Sequence, residues 1–368
     1  MLVSRYGYPS QFGDIDELGG RITELLLSGD YITGKPVAAF ERNLADYLGA
    51  GHATGVNSGT DALILALLTL DVGAGDEVVT VANTFHATVL AIARVGARPV
   101  LVDSTDTDQM MDLDRLEAAI TPRTKAIIAV HMFGEVLDMN DVVEVARKHG
   151  LAVVEDCAQA IGARRDGRAA GTFGDIGCFS FHPSKNLAAA GDAGAVVTSD
   201  PVLAERLRQL RNLGQREQNH HDALGLNSRM SSFQALVLDH KLPSLDEWNR
   251  RRRAVAARYT EALESLPVRV LDVSEDHVGH MYQVIVPERD RTLAELRDRG
   301  VDAVLRYPVP IARQPAFAGF GFVPEDYPNA DFLAHNALCL PMRPDLTPTE
   351  IDTVTTALAA VVGRTEEN

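Results

Sequence analysis

The chain has 368 residues, 46% of them hydrophobic and 23% charged, with 35 Lys and Arg against 51 Asp and Glu for a formal charge of −16. That length exceeds what one growing hydrophobic core serves and predicts two domains, and the composition predicts order except at the terminal GRTEEN. The acidic balance argues against a polyanion-binding surface such as a nucleic-acid interface, but not against a local cluster of donors around a small phosphorylated ligand. Cys157, Cys178 and Cys339 form no CxxC pair, which points to a reducing compartment and away from a structural metal. The start, MLVSRYGYPSQFGD, has no apolar signal core, and no apolar run reaches spanning length, so a cytoplasmic chain without a membrane partner is expected.

In chain order, strands are predicted at Ala53–Asn57, Glu77–Ala82, Arg98–Val102, Lys125–Val130, Leu151–Glu155, Ile176–Phe181 and Ala195–Thr198. Helical patterns at Thr60–Leu70, Ala87–Val95, Asp112–Ile120 and Met139–His149 separate the earlier ones. Near-continuous apolar strands in a βα rhythm imply an α/β fold with a mostly parallel seven-stranded sheet covered on both faces. No helix separates the last two strands, so one of them is expected to run antiparallel. A long helical stretch, Ser231–Leu263, is interrupted at Pro243 and reads as the bridge to a second unit. The predicted domains are a large one, 1–243, with an N-terminal arm, and a smaller α/β one, 244–368. The latter holds short elements such as His280–Val286 and Thr292–Arg299.

Ligands of an open parallel sheet bind beyond the carboxyl ends of its strands. The residues at those ends are Ser58-Gly59-Thr60, Asn83–His86, Asp156–Gln159 and Ser180–Asn186. Ser58, Gly59 and Thr60 open a helix whose free N–H groups and dipole make an anion site, although an ordinary N-cap gives the same pattern. The segment lacks both the lysine of a nucleoside-triphosphate loop and the three-glycine dinucleotide fingerprint. Asp156 ends an apolar strand and needs a partner, either a cationic ring nitrogen or a nearby basic side chain. Lys185, in FSFHPSKN, is either a solvated loop residue or an amine kept neutral by burial for Schiff-base chemistry. A lysine, a carboxylate and a helix start at one sheet edge are the three parts of a pyridoxal phosphate site.

These segments carry a resemblance. GVNSGTDAL, GDEVVTVANTFHAT, VHMFGEVLDM, VVEDCAQAIGA, FSFHPSKN, GDAGAVVTSD, LGLNSRMSSFQA and RYPVP resemble the DegT/DnrJ/EryC1/StrS sugar aminotransferases. The resemblance implies the type I aminotransferase fold and pyridoxal 5'-phosphate, passing through pyridoxamine phosphate, as cofactor. It implies Lys185 as the Schiff-base lysine, Asp156 on the pyridine nitrogen, Phe85 stacked on the ring and Gln159 near the ring hydroxyl. Ser58, Gly59, Thr60 and Ser180 would hold the phosphate, reached by Asn227 from a neighbouring subunit in an obligate homodimer with shared active sites. Arg229 reads equally as a ligand for an acidic substrate group or as a surface ion pair. His86 and Tyr307 are further substrate candidates, and His86 reads equally as packing. The implied reaction moves an amino group from L-glutamate to C3 or C4 of a nucleotide-linked, dTDP-type keto-deoxysugar in antibiotic-type deoxyaminosugar biosynthesis.

The alternatives are a cyclitol (scyllo-inosose-type) aminotransferase, a dehydratase of the same fold, against which Lys185 argues because those relatives carry histidine there, and a non-catalytic cofactor-binding sensor. His182 reads as shaping the lysine loop. The run Asn249–Arg253 reads as a solvated helical face with acidic neighbours. His220 and His221 are adjacent, point apart and make no metal site. Ala312-Arg313 departs from the family's usual histidine near the sugar, and Ala193 from its Gly-Asp-Gly-Gly run. LDEWNRRRRAVAARY resembles relatives that aminate 3-keto-6-deoxy sugars.

Overall fold

Seven short runs rich in Val, Ile and Ala pair into one sheet in the computed structural model, which describes residues 2–363. The GRTEEN terminus lies outside the described residues apart from Gly363. The strands are β1 (His52–Val56), β2 (Glu77–Val81), β3 (Arg98–Val102), β4 (Thr124–Val130), β5 (Ala152–Asp156), β6 (Ile176–Ser180) and β7 (Gly194–Thr198). Their order is β1-β7-β6-β5-β4-β2-β3. β7 is the antiparallel strand, paired to both β6 and β1, and the remaining pairs are parallel. The β6–β7 hairpin therefore crosses the edge where β1, β2, β4 and β5 also end.

Helices cover both faces. α1 (Ile15–Ser28) and α2 (Lys35–Leu48) precede the sheet, followed by α3 (Gly59–Thr69), α4 (His86–Arg94), α5 (Met139–His149), α6 (Pro201–Leu210), α7 (Ser232–Lys241) and α8 (Leu245–Leu263). α1 and α2 lie before the first predicted strand, and local sequence signals mark their ends. Asp14 caps α1 by accepting from the N–H groups of Asp16 and Glu17, and Gly29 and Gly49 end the two helices at positive φ. The helix expected over Asp112–Ile120 shrinks to one turn, Leu113–Leu116, and a 3₁₀ turn, Glu117–Ala119. Pro122 forces the residue before it out of helical geometry, and Ile120 is already extended.

A second, smaller core gathers Val3, Tyr259, Tyr282, Leu296, Val301, Leu338 and Leu358. It packs around β8 (Arg269–Val270), β9 (Tyr282–Ile285) and β10 (Ala337–Leu340), with α9 (Arg289–Asp298) and α11 (Pro348–Val362) against it. α10 (Pro328–Asn336) precedes β10. Pro243 falls in the 3₁₀ turn between α7 and α8. α8 buries a stripe of Leu245, Asn249, Arg252, Val255, Ala256, Tyr259 and Leu263 at helical spacing. The run Asn249–Arg253 is thus split rather than wholly solvated. Arg250 and Arg251 bond Glu247 at 2.7 Å and 2.6 Å, while Asn249 and Arg252 turn into the protein because they fall on the stripe. Among the described residues no helix is long and apolar enough to cross a membrane.

Candidate active site

The loops beyond β1, β2, β5 and β6 converge on a cavity of about 280 Å³ whose lining includes Lys185 and Asp156. Ser58, Gly59, Thr60, Phe85, Gln159, Ser180 and Tyr307 line the same cavity.

The phosphate-sized end is built by close packing. Ser58 caps α3, its Oγ accepting from the N–H of Asp61 at 3.1 Å. No described residue accepts from the N–H groups of Gly59 or Thr60, which helix geometry leaves pointing off the helix start. A Cβ at Gly59 would lie 2.6 Å from Ser180 Cβ, and one at Gly194 would lie 2.5 Å from the Ser58 carbonyl. Glycine at both positions lets the helix start sit directly against the β6–β7 hairpin.

The lysine loop is pinned on all sides. The N–H of Lys185 donates to the His182 carbonyl at 2.8 Å, and the N–H of Ser184 donates to His182 Nδ1 at 3.2 Å, so His182 shapes this turn. Asn186 donates to Asn249 Oδ1 at 2.9 Å and to the Val278 carbonyl at 3.0 Å, and meets His280 Nδ1 at 2.9 Å. Lys241 donates to the Ala188 carbonyl at 2.6 Å. Lys185 is half-buried and lines the cavity. Burial, opposed by Asp156 and aided by Arg306, brings its amine down to about 8.

Asp156 is 6% exposed at the end of β5. Thr88 Oγ1 donates to its Oδ2 at 2.8 Å, and the N–H of Ala158 donates to Oδ1 at 3.2 Å. Burial raises its carboxyl above the usual range, with those two bonds and Lys185 acting in opposition. A cation beside it would favour the ionised form. His131 lines the cavity as well. Its Nδ1 accepts from the N–H of Leu137 at 3.2 Å, which leaves Nε2 as the donor to Glu155 at 2.8 Å. Glu155 also accepts from the N–H groups of Gly171, Phe173 and Gly174, so the cluster of His131, Glu155 and Cys157 is tied up in structural bonds.

Gln159 bridges two walls, accepting from the N–H of Phe133 at 2.8 Å and donating to the Tyr307 hydroxyl at 3.0 Å. The Phe85 and Tyr307 ring centroids are 5.3 Å apart. Phe85 is half exposed at the start of α4, over the cavity mouth.

Three expected residues lie outside the lining. His86 is exposed and packs edge-on against Phe85 at 4.5 Å. Asn227 is exposed and accepts from Arg229 Nε at 3.1 Å, and Arg229 forms no ion pair among the described residues. His220 and His221 form an exposed two-residue strand, His220 pairing with Asp222 at 2.8 Å. Arg313 pairs with Asp331 at 2.5 Å. Sequence reasoning missed Thr88, Asn186, His280 and Arg306. Thr88 falls three residues after Phe85 on α4 and could have been found by helical spacing; Asn186 and Arg306 sit in the FSFHPSKN and RYPVP motifs without an assigned role, and His280 carries no local signal.

The chain matches the profile of the DegT/DnrJ/EryC1/StrS aminotransferase family over residues 14–359. It is 44% identical over 333 residues to the dTDP-3-amino-3,4,6-trideoxy-alpha-D-glucose transaminase of Streptomyces venezuelae, covering 90% of this chain and 88% of that one. It is 44% identical over 345 residues to the UDP-N-acetyl-3-dehydro-alpha-D-glucosamine 3-aminotransferase of Acidithiobacillus ferrooxidans, covering 93% of each. Its fold superposes with a TM-score of 0.94 and 41% identity, over 98% of each chain, on the crystal structure of S. venezuelae DesV in complex with a ketimine intermediate. A helix start free to take an anion, a buried carboxylate and a buried amine at one sheet edge, in a chain similar along most of its length to sugar transaminases, establish that it belongs to the DegT/DnrJ/EryC1/StrS aminotransferase family.

Proposed function

We propose that this aminotransferase uses pyridoxal 5'-phosphate to move an amino group from L-glutamate to C3 of a nucleotide-linked keto-deoxysugar, in deoxyaminosugar biosynthesis of the antibiotic type. The observation that carries the proposal is the meeting of Lys185, Asp156 and the α3 start in one cavity. C3 is favoured over C4 because both relatives are named for 3-amino or 3-keto sugars. dTDP is the nucleotide of the first relative and UDP that of the second, and the deoxysugar reading favours dTDP.

The residues fit the cofactor. The Gly59 and Thr60 N–H groups and the Ser58, Thr60 and Ser180 hydroxyls would hold the phosphate, and glycine at position 59 lets the start of α3 sit directly against Ser180. Asp156, oriented by Thr88, keeps a proton on the pyridine nitrogen. Phe85 and Gln159, which line the same cavity, would cover a face of the ring and bond its hydroxyl. When bound, the cofactor supplies the electron sink for the carbanion at the donor α-carbon. Lys185, whose amine lines the cavity, would serve as the base that takes up and returns the proton moved in each half of the transfer. An amine near 8 is partly neutral at physiological pH, as this role requires.

We further read the molecule as a cytoplasmic homodimer with residues 1–243 and 244–368 as its domains. Leu26, Leu27, Tyr31 and Ile32 are exposed together on and just after α1, an apolar surface suited to a second copy. Asn227, exposed and outside the cavity, would then serve the partner's phosphate, with Arg229 beside it near the shared substrate site. His86 and Tyr307 are read as sugar contacts. The test is to supply dTDP-linked 3-keto and 4-keto deoxysugars in parallel with L-glutamate and identify product sugars by NMR. A 3-amino sugar is expected; amination of the 4-keto sugar alone would overturn the C3 assignment, and a visible cofactor band unmoved by every amino donor would favour the sensor.

A further inference from the structure

A second cavity, of about 50 Å³, adjoins the first and shares Lys185, Ser184, Met281 and Arg306 with it. Four arginines line it: Arg5, Arg252, Arg306 and Arg343. Two are neutralised. Arg343 pairs with Asp345 at 2.9 Å and Glu350 at 2.5 Å, and Arg5 pairs with Asp302 at 3.5 Å. Arg252 and Arg306 form no ion pair among the described residues. Arg252, projecting from the buried stripe of α8, is 4% exposed, and its Nη1 is buried without a hydrogen-bond partner. His280, on the same wall, uses Nδ1 on Asn186 and leaves Nε2 buried without one.

Asp345, which is paired directly with Arg343, acts on Arg252 only from a distance, and two guanidiniums without a direct partner beside the Lys185 amine are costly unless an anion joins them. Asp156, the carboxylate nearest in role, lines the other cavity. The volume suits the group. A void of about 50 Å³ has room for a few waters or one carboxylate and excludes a nucleoside diphosphate. Planar guanidiniums match a carboxylate by paired hydrogen bonds. Because Arg306 spans both cavities, a chain of a few carbons from the reacting centre at Lys185 leads into this annex.

We infer that the annex is the subsite for the distal carboxylate of a dicarboxylic amino donor, with Arg306 at its mouth and Arg252 at its back. The inference rests on the aminotransferase reading and assigns the side-chain carboxylate of its L-glutamate donor to a specific pair of arginines. Binding of glutarate to the holoenzyme by calorimetry, and the rates at which L-glutamate and L-glutamine bleach the cofactor band, test it in wild type, Arg306→Gln and Arg306→Lys. Arg306→Gln should weaken glutarate binding tenfold or more and lower the ratio of the glutamate to the glutamine rate constant by a similar factor, whatever common effect the loss of Arg306 has on Lys185 in both reactions; Arg306→Lys should restore part of both. Among the described residues the Arg306 side chain makes no hydrogen bond or ion pair that a substitution would remove, so the variant should fold, and Arg252→Met is a second arm whose failure to fold would not affect the first. Unchanged glutarate binding, or an unchanged glutamate-to-glutamine ratio, in Arg306→Gln would overturn the subsite alone. A wild-type enzyme inert to every donor would instead overturn the aminotransferase reading, and glutarate binding would still decide whether the annex takes a carboxylate.

Discussion

Replacing Gly59 by alanine adds one methyl group where the structure has no space for it. The new Cβ would stand 2.6 Å from Ser180 Cβ and 3.2 Å from Ser180 Cα. Carbon atoms prefer about 3.5–4.0 Å, so the overlap is about 1 Å. Neither neighbour is a flexible side-chain tip, so the start of α3 must move away from β6. Overpacking of this kind costs about 1–3 kcal/mol of stability. The same shift of about 1 Å exceeds the useful window of N–H···O distances, about 2.7–3.2 Å, and would break one or two bonds to a phosphate. A charge-assisted bond contributes about 1.5–3 kcal/mol, or about 10- to 100-fold in affinity. Pyridoxamine phosphate binding, measured by calorimetry in a Lys185→Ala background where no covalent link forms, should weaken by about 100-fold. A thermal melt run alongside separates this loss from unfolding. Adding Ser180→Gly should recover stability but not full affinity, because the hydroxyl is lost with the clash. A folded Gly59→Ala variant that binds within twofold of its parent would refute the steric argument and the phosphate assignment with it.

Lys185→Ala alone should abolish turnover yet still bind pyridoxamine phosphate; transamination at the native rate would remove Lys185 from the mechanism. The buried His277 is held down to about 4 from 6.5, first by burial and then by Arg253, so between those values the unfolded chain takes up a proton that the folded chain refuses. Its contribution to stability is present above pH 6.5 and lost as pH falls toward 4, by up to about 1.4 kcal/mol per pH unit. Urea denaturation at a series of pH values should show a shallower loss in His277→Gln than in wild type, and identical slopes would contradict this.

Much of the fold was legible because its signals are local. Apolar strand runs separated by helical periods specify a covered parallel sheet, and the missing helix between Ile176–Phe181 and Ala195–Thr198 already implied the antiparallel strand seen at Gly194–Thr198. α1 and α2 were legible too, from Asp14, Gly29 and Gly49, but no strand rhythm frames them. The helix expected at Asp112–Ile120 fell to a single turn because a proline two residues beyond its end outweighs propensity.

Residue order and motif spacing by themselves determined the sheet edge and the residues that meet there, since a strand end and a helix start place their side chains by backbone geometry alone. Tertiary structure decided everything that depends on distant segments meeting. Thr88 reaches Asp156 across 68 positions, Asn186 is fastened to Asn249 and Val278, and glycines 59 and 194 are set by contacts with Ser180 and Ser58. The arginine run shows the difference most clearly. Its charge is visible in the sequence, but burial of Arg252 beside Arg306 depends on which face of α8 meets the second core, and that is a property of packing.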